Sequence, residues 1–583
     1  MNIQELDILS YLLQNKFTTQ RDLAENVGYS LGVVNRSLKS LLNGEYIDKH
    51  SNPTEKALTE FEGKKVKNAV ILAAGFGMRM VPINTEIPKG LLEVKGEVLI
   101  ERTIRQLNSV GIKNVFVVVG FMKEKYEYLI DKFGVRLIVN PDYATKNNLY
   151  SVKCAQAHIG NSYIIPCDIY CKENPYHSYE PYSWYMVSDE TSVDSTVRAN
   201  RKQQLVPTQG GGNAMVGISY ISNDTAKHLK QNIKLLCQNA ANDGAFWESA
   251  LYQNGEIITL ARVVNAQNAV EINTYEQLRE LDRNSNQLKN DAIKVICNAL
   301  SVKPSDITDI TVLKKGMTNR SFLFCTGGKK YIMRIPGEGT DMLINRREEA
   351  AVYNTLAGKN ICDNIAYINP DNGYKITEFL SDARVCDPDS QDDLTKCMSR
   401  LRDFHNAALT VEHKFDIFGQ IEFYESLWNG QESAYMDYKT TKANVLKLKK
   451  YIDAQPKDYV LTHIDAVPDN FMFVKTGGTE EIRLIDWEYA GMQDPHVDIA
   501  MFCVYSLYER EQIDNLIDTY FYEGCDDAVR TKIYCYIAAC GLLWSNWCEY
   551  KRALGVDFGE YSLKQYRYAK DFYKIAAERL GDI

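Results

Sequence analysis

VILAAGFGMRM, Val70–Met80, runs an apolar strand straight into a glycine-rich turn, and PKGLLEV, Pro88–Val94, follows closely. A strand that ends in such a turn and opens a helix aims backbone N–H groups at a phosphate. Gly75 and Gly77 allow the close approach. Arg79 and Lys89 add two cations able to brace a triphosphate and to stabilise charge developing at an attacked phosphorus. A second stretch, HIDAVPDNFMF from His463, leads into LIDWEYAG, Leu484–Gly491. Its H-x-D-x-x-x-x-N spacing, then an apolar strand, then I-D-W, suits phosphoryl transfer. Asp465 accepts the substrate hydroxyl proton or orients the attacking oxygen, while Asn470 and Asp486 hold Mg2+ on the phosphates. His463 supports the loop.

Around these two stretches the chain alternates strand and helix from Asn68: NAVILAAG, LIERTIRQLNSVG, NVFVVVG, KEKYEYLIDKF, VRLIVN. That rhythm predicts a parallel sheet with helices on both faces. Lys64–Lys67 reads as a short joint before it, and the polar run DRNSNQLKN, ending at Asn290, as a linker after it. Beyond, a strand-rich stretch over 311–335 precedes a mostly helical remainder, as in two-lobed kinase-like folds. Ahead of the joint, FTTQRDLAENVGYSLGVVNRSLKSLL reads as helix, turn at Gly28, and a second helix. The expected architecture is multi-domain α/β and α+β: a unit over 1–64 that resembles a winged helix-turn-helix, a Rossmann-like α/β nucleotidyltransferase over 67–284, and a two-lobed protein-kinase-like domain over 290–583.

The bulk numbers agree. A chain of 583 residues exceeds one hydrophobic core. A net charge of −9 argues against general polyanion binding. The 14 Cys are scattered with no CxxC pair, which reads as reduced thiols in a cytoplasmic protein. No basic n-region or long apolar run is present, so neither a signal peptide nor a membrane span is expected. In the first 65 residues 8 Lys and Arg face 9 Asp and Glu, a poor electrostatic footprint for DNA. DNA contact through Asn35, Arg36 and Lys39, and a protein-contact role, both stay open.

LAAGFGMRM…PKGLLEVKGEVLIERTIRQL resembles the opening of sugar-phosphate and phosphocholine nucleotidyltransferases. The likeness to bacterial CTP:phosphocholine cytidylyltransferases continues through VGFMKEKYEYL, FGVRLIVNPDYATKNNLYSV, YIIPCDIY and AVEINTYEQL, covering about residues 68–282. It implies a nucleotide against Leu72, Ala73, Ala74, Gly75 and Gly77. It also implies Mg2+ held by Asp168 and by the residue at Asn273, where the family carries a carboxylate. Glu271, two residues away, points the same way in an extended segment. A quaternary ammonium has no N–H to donate, so aromatic faces and a nearby carboxylate must recognise it. Trp247 beside Glu248 matches an acidic-aromatic position of the family, with Tyr150 and Tyr143 as further candidates.

The DWEYAG form resembles choline and ethanolamine kinases, within the aminoglycoside-phosphotransferase-like group, over about residues 295–575. KKGMTNRSFLF then supplies the phosphate-covering loop, with Gly316 and Asn319 in matching places. Arg334 is the implied phosphate cation, and Glu349, or Glu348 beside it, its carboxylate partner. DPHVDIA holds Asp494 and Asp498 in positions that are structural in such folds. Trp544 and Trp547 fall on one helix face, where choline kinases enclose the trimethylammonium. Glu488 adds negative charge near it and Tyr561 a wall.

A kinase makes a phosphomonoester and a nucleotidyltransferase can use one as nucleophile. The pairing implies phosphorylation of choline by ATP, then coupling of phosphocholine to CTP, with Mg2+ at both sites. The same chemistry on ethanolamine or another amino alcohol is one alternative. A transcriptional regulator whose enzyme-like domains sense such metabolites is another.

Overall fold

The computed structural model describes residues 1–77, 80–83, 87–253, 255, 257–313, 319–337, 343–476, 478–554, 556 and 558–581. They form two compact units, Met1–Lys294 and Val295–Ile583.

In the first unit, helices Ile3–Gln14, Gln20–Val27, Leu31–Asn43 and Glu55–Glu62 each begin at a polar cap, Asn2, Thr19, Ser30 and Thr54 respectively. Gly28, at φ +70°, closes the second helix in the left-handed conformation that glycine adopts without strain. Ile8, Leu9, Leu23, Val34, Leu38 and Phe61 bury one face of each helix. Asn35, Arg36 and Lys39 lie on the exposed face of Leu31–Asn43.

This small module has its own core but is not free of the sheet that follows. Lys65 bridges to Tyr179, whose ring packs on the module's core. The Asn161 amide donates to the Gly63 carbonyl at 2.7 Å. The Asp7 carboxylate accepts hydroxyls from Tyr29 of the module and Tyr182 of the sheet domain, and its burial raises its pKa. The joint expected at Lys64–Lys67 is thus a docked segment, because its backbone groups find partners in the next domain rather than in water.

The sheet of the first unit has seven strands in the order Leu260–Val264, Trp184–Ser192, Gly212–Ile221, Ser162–Pro166, Asn68–Ala73, Val115–Val119, Arg136–Val139. It is mixed rather than parallel. Gly212–Ile221 runs antiparallel to both neighbours, whereas Asn68–Ala73 is parallel to Val115–Val119 and Ser162–Pro166. The register Leu72↔Pro166 brings the turn after Ala73 beside Cys167 and Asp168, at the carboxyl ends of the strands where open α/β sheets bind ligands. The stretch expected as a linker packs as well: Ser285 donates to the Glu93 carbonyl and Lys95 N–H to Asp282. The unit therefore runs on to Lys294.

The second unit opens with a five-stranded antiparallel sheet, in the order Thr308–Val312, Asn319–Thr326, Lys329–Pro336, Lys375–Glu378, Ile365–Ile368, with helix Arg346–Leu356 between its third and fourth strands to form. A helical region follows, in which Asp527–Ala553 packs along Glu560–Leu580. Asp527–Ala553 is buried on nearly every side from Thr531 to Tyr550, the signature of a helix at the centre of a large core. Among the described residues, no helix is long and apolar enough to cross a membrane.

Asp7→Ala should loosen the module from the sheet. Amide exchange in Ile3–Gln14 and Leu31–Asn43 is expected to speed about tenfold, the effect of about 1.4 kcal/mol lost at a buried hydrogen-bonded carboxylate. Unchanged exchange would mean that docking rests on other contacts.

Candidate active sites

In the first unit, Lys89, Asp168 and Asn273 meet. The Lys89 ammonium donates to Asp168 Oδ2 at 2.9 Å and to Asn273 Oδ1 at 2.7 Å. Strand pairing delivers the two acceptors: Ile169–Cys171 runs antiparallel to Ala269–Glu271, and Ile272 N–H donates to the Asp168 carbonyl. Gly77, at φ +59°, covers the lysine stem, and a Cβ there would stand 2.6 Å from Lys89 Cγ. Arg79 lies outside the described residues. Leu72, Ala73, Ala74 and Gly75 continue from the central strand into the turn, and the Ala74 carbonyl accepts from Phe121 N–H.

Beyond this cluster lies a buried acid that the motifs only bordered. Glu248 Oε1 accepts the Tyr185 hydroxyl at 2.8 Å. Its Oε2 and the Tyr252 hydroxyl are buried without a hydrogen-bond partner among the described residues. Burial, with Glu271 adding like charge, pushes the Glu248 carboxyl up to about 7.

Two expected aromatic walls already have partners within the fold. Trp247 is 1% exposed and packs in the core against Tyr185, and its backbone N–H donates to Asn148 Oδ1. Tyr150 donates its hydroxyl to Asp243, and the Lys146 ammonium covers its ring at 4.1 Å, so that face already holds a cation. Asn147 adds bonds to the Asp243 and Gly244 carbonyls. The Asn-Asn-Leu-Tyr run and the segment carrying Trp247 are thereby stitched together. Tyr143 instead joins Phe76 and Phe121 at the mouth of the glycine turn.

In the second unit, Asp498 organises the loop that carries Asp465. Its carboxylate accepts the His463 N–H at 3.0 Å and the Ile464 N–H at 2.7 Å, and meets His405 Nε2 at 2.9 Å. Ile464 stands at φ +68°, an unusual conformation for a β-branched residue that this anchoring maintains. His463 is fully buried with its pKa lowered by burial. Its Nε2 faces the Ile485 carbonyl at 2.9 Å, so Nε2 carries the proton and the ring supports the loop. Asn470 donates to the Asp465 carbonyl and carboxylate at 2.8 and 3.1 Å. Burial, and the charges of Asp486 and Glu488, push Asp465 up to about 8. Asp494, held by Lys532 and Tyr536, is structural.

Arg334 makes a fork with Glu349, the second arm at 2.8 Å, and also donates to the Gly373 carbonyl. Burial would raise the Glu349 pKa, but Lys375 and Arg334 outweigh it and hold the carboxyl at about 2. Glu349, not Glu348, is therefore the partner. Glu488 accepts from Asn319 at 3.1 Å and Arg346 at 3.5 Å, and its charge is also felt by Tyr489. Gly316 lies outside the described residues.

Trp544 and Trp547 meet edge-to-face with centroids 5.8 Å apart. Tyr489 stands at right angles to Trp544, and Phe558 connects Trp547 to Tyr561, which touches Tyr505. Asp465 lies close enough for its charge to be felt by Tyr489, Tyr505 and Tyr561. Tyr489, Tyr505 and Phe558 were not singled out from the sequence. Only Tyr489 had a signal, its place inside Asp-Trp-Glu-Tyr.

Asp168 and Asn273 meet through Lys89, and Ile485 N–H donates to the Asn470 carbonyl, which brings the segment carrying Asp486 beside Asn470. Among the described residues no group of three His, Cys, Asp or Glu is arranged to hold a metal. Hard oxygen donors in such small number fit Mg2+ that completes its shell with phosphate and water.

Residues 1–48 match the winged helix-turn-helix DNA-binding family, 69–176 the MobA-like NTP transferase domain and 310–523 choline/ethanolamine kinase. The choline-phosphate cytidylyltransferase of Streptococcus pneumoniae is 30% identical over 37% of this chain and 99% of that protein. The 2-aminoethylphosphonate cytidylyltransferase of Lancefieldella rimae is 30% identical over 37% of this chain and 92% of its own length. The crystal structure of choline kinase LicA from Streptococcus pneumoniae is 29% identical, with a TM-score of 0.42, over 48% of this chain and 98% of that one.

Gly77→Ala should displace Lys89 and strain the turn. CTP affinity is expected to fall about 30-fold, for a backbone and contact cost of about 2 kcal/mol, with ATP affinity unchanged in calorimetry. An unchanged CTP affinity would remove the turn from the site.

Proposed function

We propose that this chain, which belongs to the choline-phosphate cytidylyltransferase family and carries a choline/ethanolamine kinase domain behind it, turns choline into CDP-choline in two steps. The second unit transfers the γ-phosphate of ATP to choline. The first joins phosphocholine to CTP and releases pyrophosphate. Both would work in the cytoplasm, where these nucleotides are available. The observation that carries the reading is the aromatic set around Trp544 and Trp547 beside Asp465. Ring faces hold a trimethylammonium that can donate no hydrogen bond, and Asp465 stands near for the hydroxyl at the other end of so short a molecule.

In the kinase step the choline oxygen bonds to the γ-phosphorus, the bond to the ADP oxygen breaks, and the hydroxyl proton passes to Asp465. Asn470 keeps that carboxylate oriented. Asn470 and Asp486 in this unit, and Asp168 and Asn273 in the first, would hold Mg2+, which supplies charge neutralisation on the phosphates when bound. Arg334 and Asn319 serve the nucleotide phosphates. In the cytidylyl step a phosphocholine oxygen bonds to the α-phosphorus of CTP as the bond to pyrophosphate breaks. Lys89, with Arg79, balances the charge that develops. The exposed Asn35, Arg36 and Lys39 are where the winged helix would meet DNA.

A second reading, an acceptor with a primary amine, is favoured by one observation in the first unit. The buried Glu248 Oε2 and Tyr252 hydroxyl, with no partner among the described residues, could accept N–H groups. Competition of choline against ethanolamine, and of phosphocholine against 2-aminoethylphosphonate, decides between them.

Purified protein with ATP, choline and Mg2+ should form phosphocholine, and added CTP should then release pyrophosphate. Asp465→Asn is expected to cut phosphocholine formation by about 10³-fold or more while leaving cytidylyl transfer from supplied phosphocholine intact. Absence of phosphocholine from the wild-type chain would end the reading.

Glu248 gives a pH signature. Its pKa lies at about 7 against an ordinary 4.5, so the carboxylate that attracts an ammonium appears only as pH rises through about 7. The KM for phosphocholine should fall from pH 6 to pH 8. Stability runs the other way: the contribution of the raised pKa is full below 4.5 and is lost as pH rises through about 7. Glu248→Gln should flatten both profiles; profiles that stay unchanged would assign them to another group.

A further inference from the structure

Three segments of the second unit converge on one guanidinium. Arg346 opens helix Arg346–Leu356 and is buried, its side chain 5% exposed. Its Nη1 donates to Glu349 Oε2 at 3.2 Å and to Glu488 Oε2 at 3.5 Å. Its Nη2 donates to Asn319 Oδ1 at 3.2 Å. Asn319 closes the triangle by donating its own amide to Glu488 Oε2 at 3.1 Å. The fold reserves room for this side chain: at Gly373, with φ +69°, a Cβ would stand 2.7 Å from Arg346 Cδ.

The triangle links functionally distinct pieces. Asn319 is the first residue of the strand that leaves the phosphate-covering segment. Glu488 lies two residues after Asp486, in the loop of the helical lobe. Glu349 holds Arg334. A planar fork can serve acceptors from all three pieces at once, whereas an ammonium is a single point charge on a flexible stem.

We propose that Arg346 is a positioning residue of the kinase site: it latches Asn319 to Glu488 and thereby holds the start of strand Asn319–Thr326 against the loop that carries Asp486. The residue touches no reacting atom. It acts through the other two, so its loss should weaken the grip on nucleotide phosphates more than the hold of Trp544 and Trp547, which lie on helix Asp527–Ala553.

The latch rests on the kinase reading above, and the test separates the two. In the full chain, Arg346→Met should raise the KM for ATP at least tenfold and lower kcat, with the choline KM within twofold of wild type. Arg346→Lys should not restore the ATP KM. Arg346→Met combined with Glu488→Gln should be no worse than Arg346→Met alone, because the two share one interaction. Cytidylyl transfer by the same preparations checks that the chain is folded. A parallel rise in the choline KM, rescue by lysine, or additive losses would each overturn the latch. If the wild-type chain fails to phosphorylate choline, the kinase reading falls. The latch is then decided by calorimetry with AMPPNP and MgCl2: a tenfold loss of affinity in Arg346→Met supports it, and an unchanged affinity overturns it.

Discussion

A carboxylate taken out of water costs several kcal/mol unless a cation or an N–H group answers it, and both units of this chain are arranged around that requirement. In the second unit Glu349 is answered three times, by Arg334, Arg346 and Lys375. That single acid fixes the distance between helix Arg346–Leu356 and the five-stranded sheet. In the first unit Asp168 is answered by Lys89, and Asn273 shares the same ammonium. A neutral amide as the second acceptor leaves Lys89 with one full counter-charge. The pair is thus neutral, where a second carboxylate would have left net negative charge beside the phosphates.

Burial also separates the acids by task. Glu349 is held at about 2 by its cations, whereas Asp465 is lifted to about 8 and Glu248 to about 7, where no cation answers them directly. Ionised acids that stay paired serve as framework. Asp465 and Glu248 are left at the edge of ionisation, where a bound cation would restore their charge.

Much of the candidate site was read from local pattern. The glycine turn after a strand, and the spacing of Asp465, Asn470 and Asp486, depend on backbone geometry that only a few residues allow. Aromatic residues were harder to read. Trp247 and Tyr150 sit in motifs as strongly as any ligand, yet their rings are spent on packing and on Lys146. A ring buries well in a core and binds a cation equally well on a surface, so residue type alone does not separate the two uses. The partners of Glu488, Asn319 and Arg346, were likewise not legible, because nearness in sequence to Asp486 says nothing of what its side chain meets.

Strand and helix periods, the glycine positions and the acid-amide spacings were set by the chain itself, because they follow from backbone conformation over a few neighbouring residues. Sheet topology was not: the antiparallel insertion of Gly212–Ile221 is a choice of neighbour, and neighbours lie far apart in sequence. Nor was the docking of the winged helix through Asp7, Tyr179 and Tyr182, or the convergence of Arg346, Asn319 and Glu488. These depend on contacts between segments more than 100 residues apart, such as Asp7 with Tyr182 and Asn319 with Glu488, and only the folded chain brings such partners within hydrogen-bond reach.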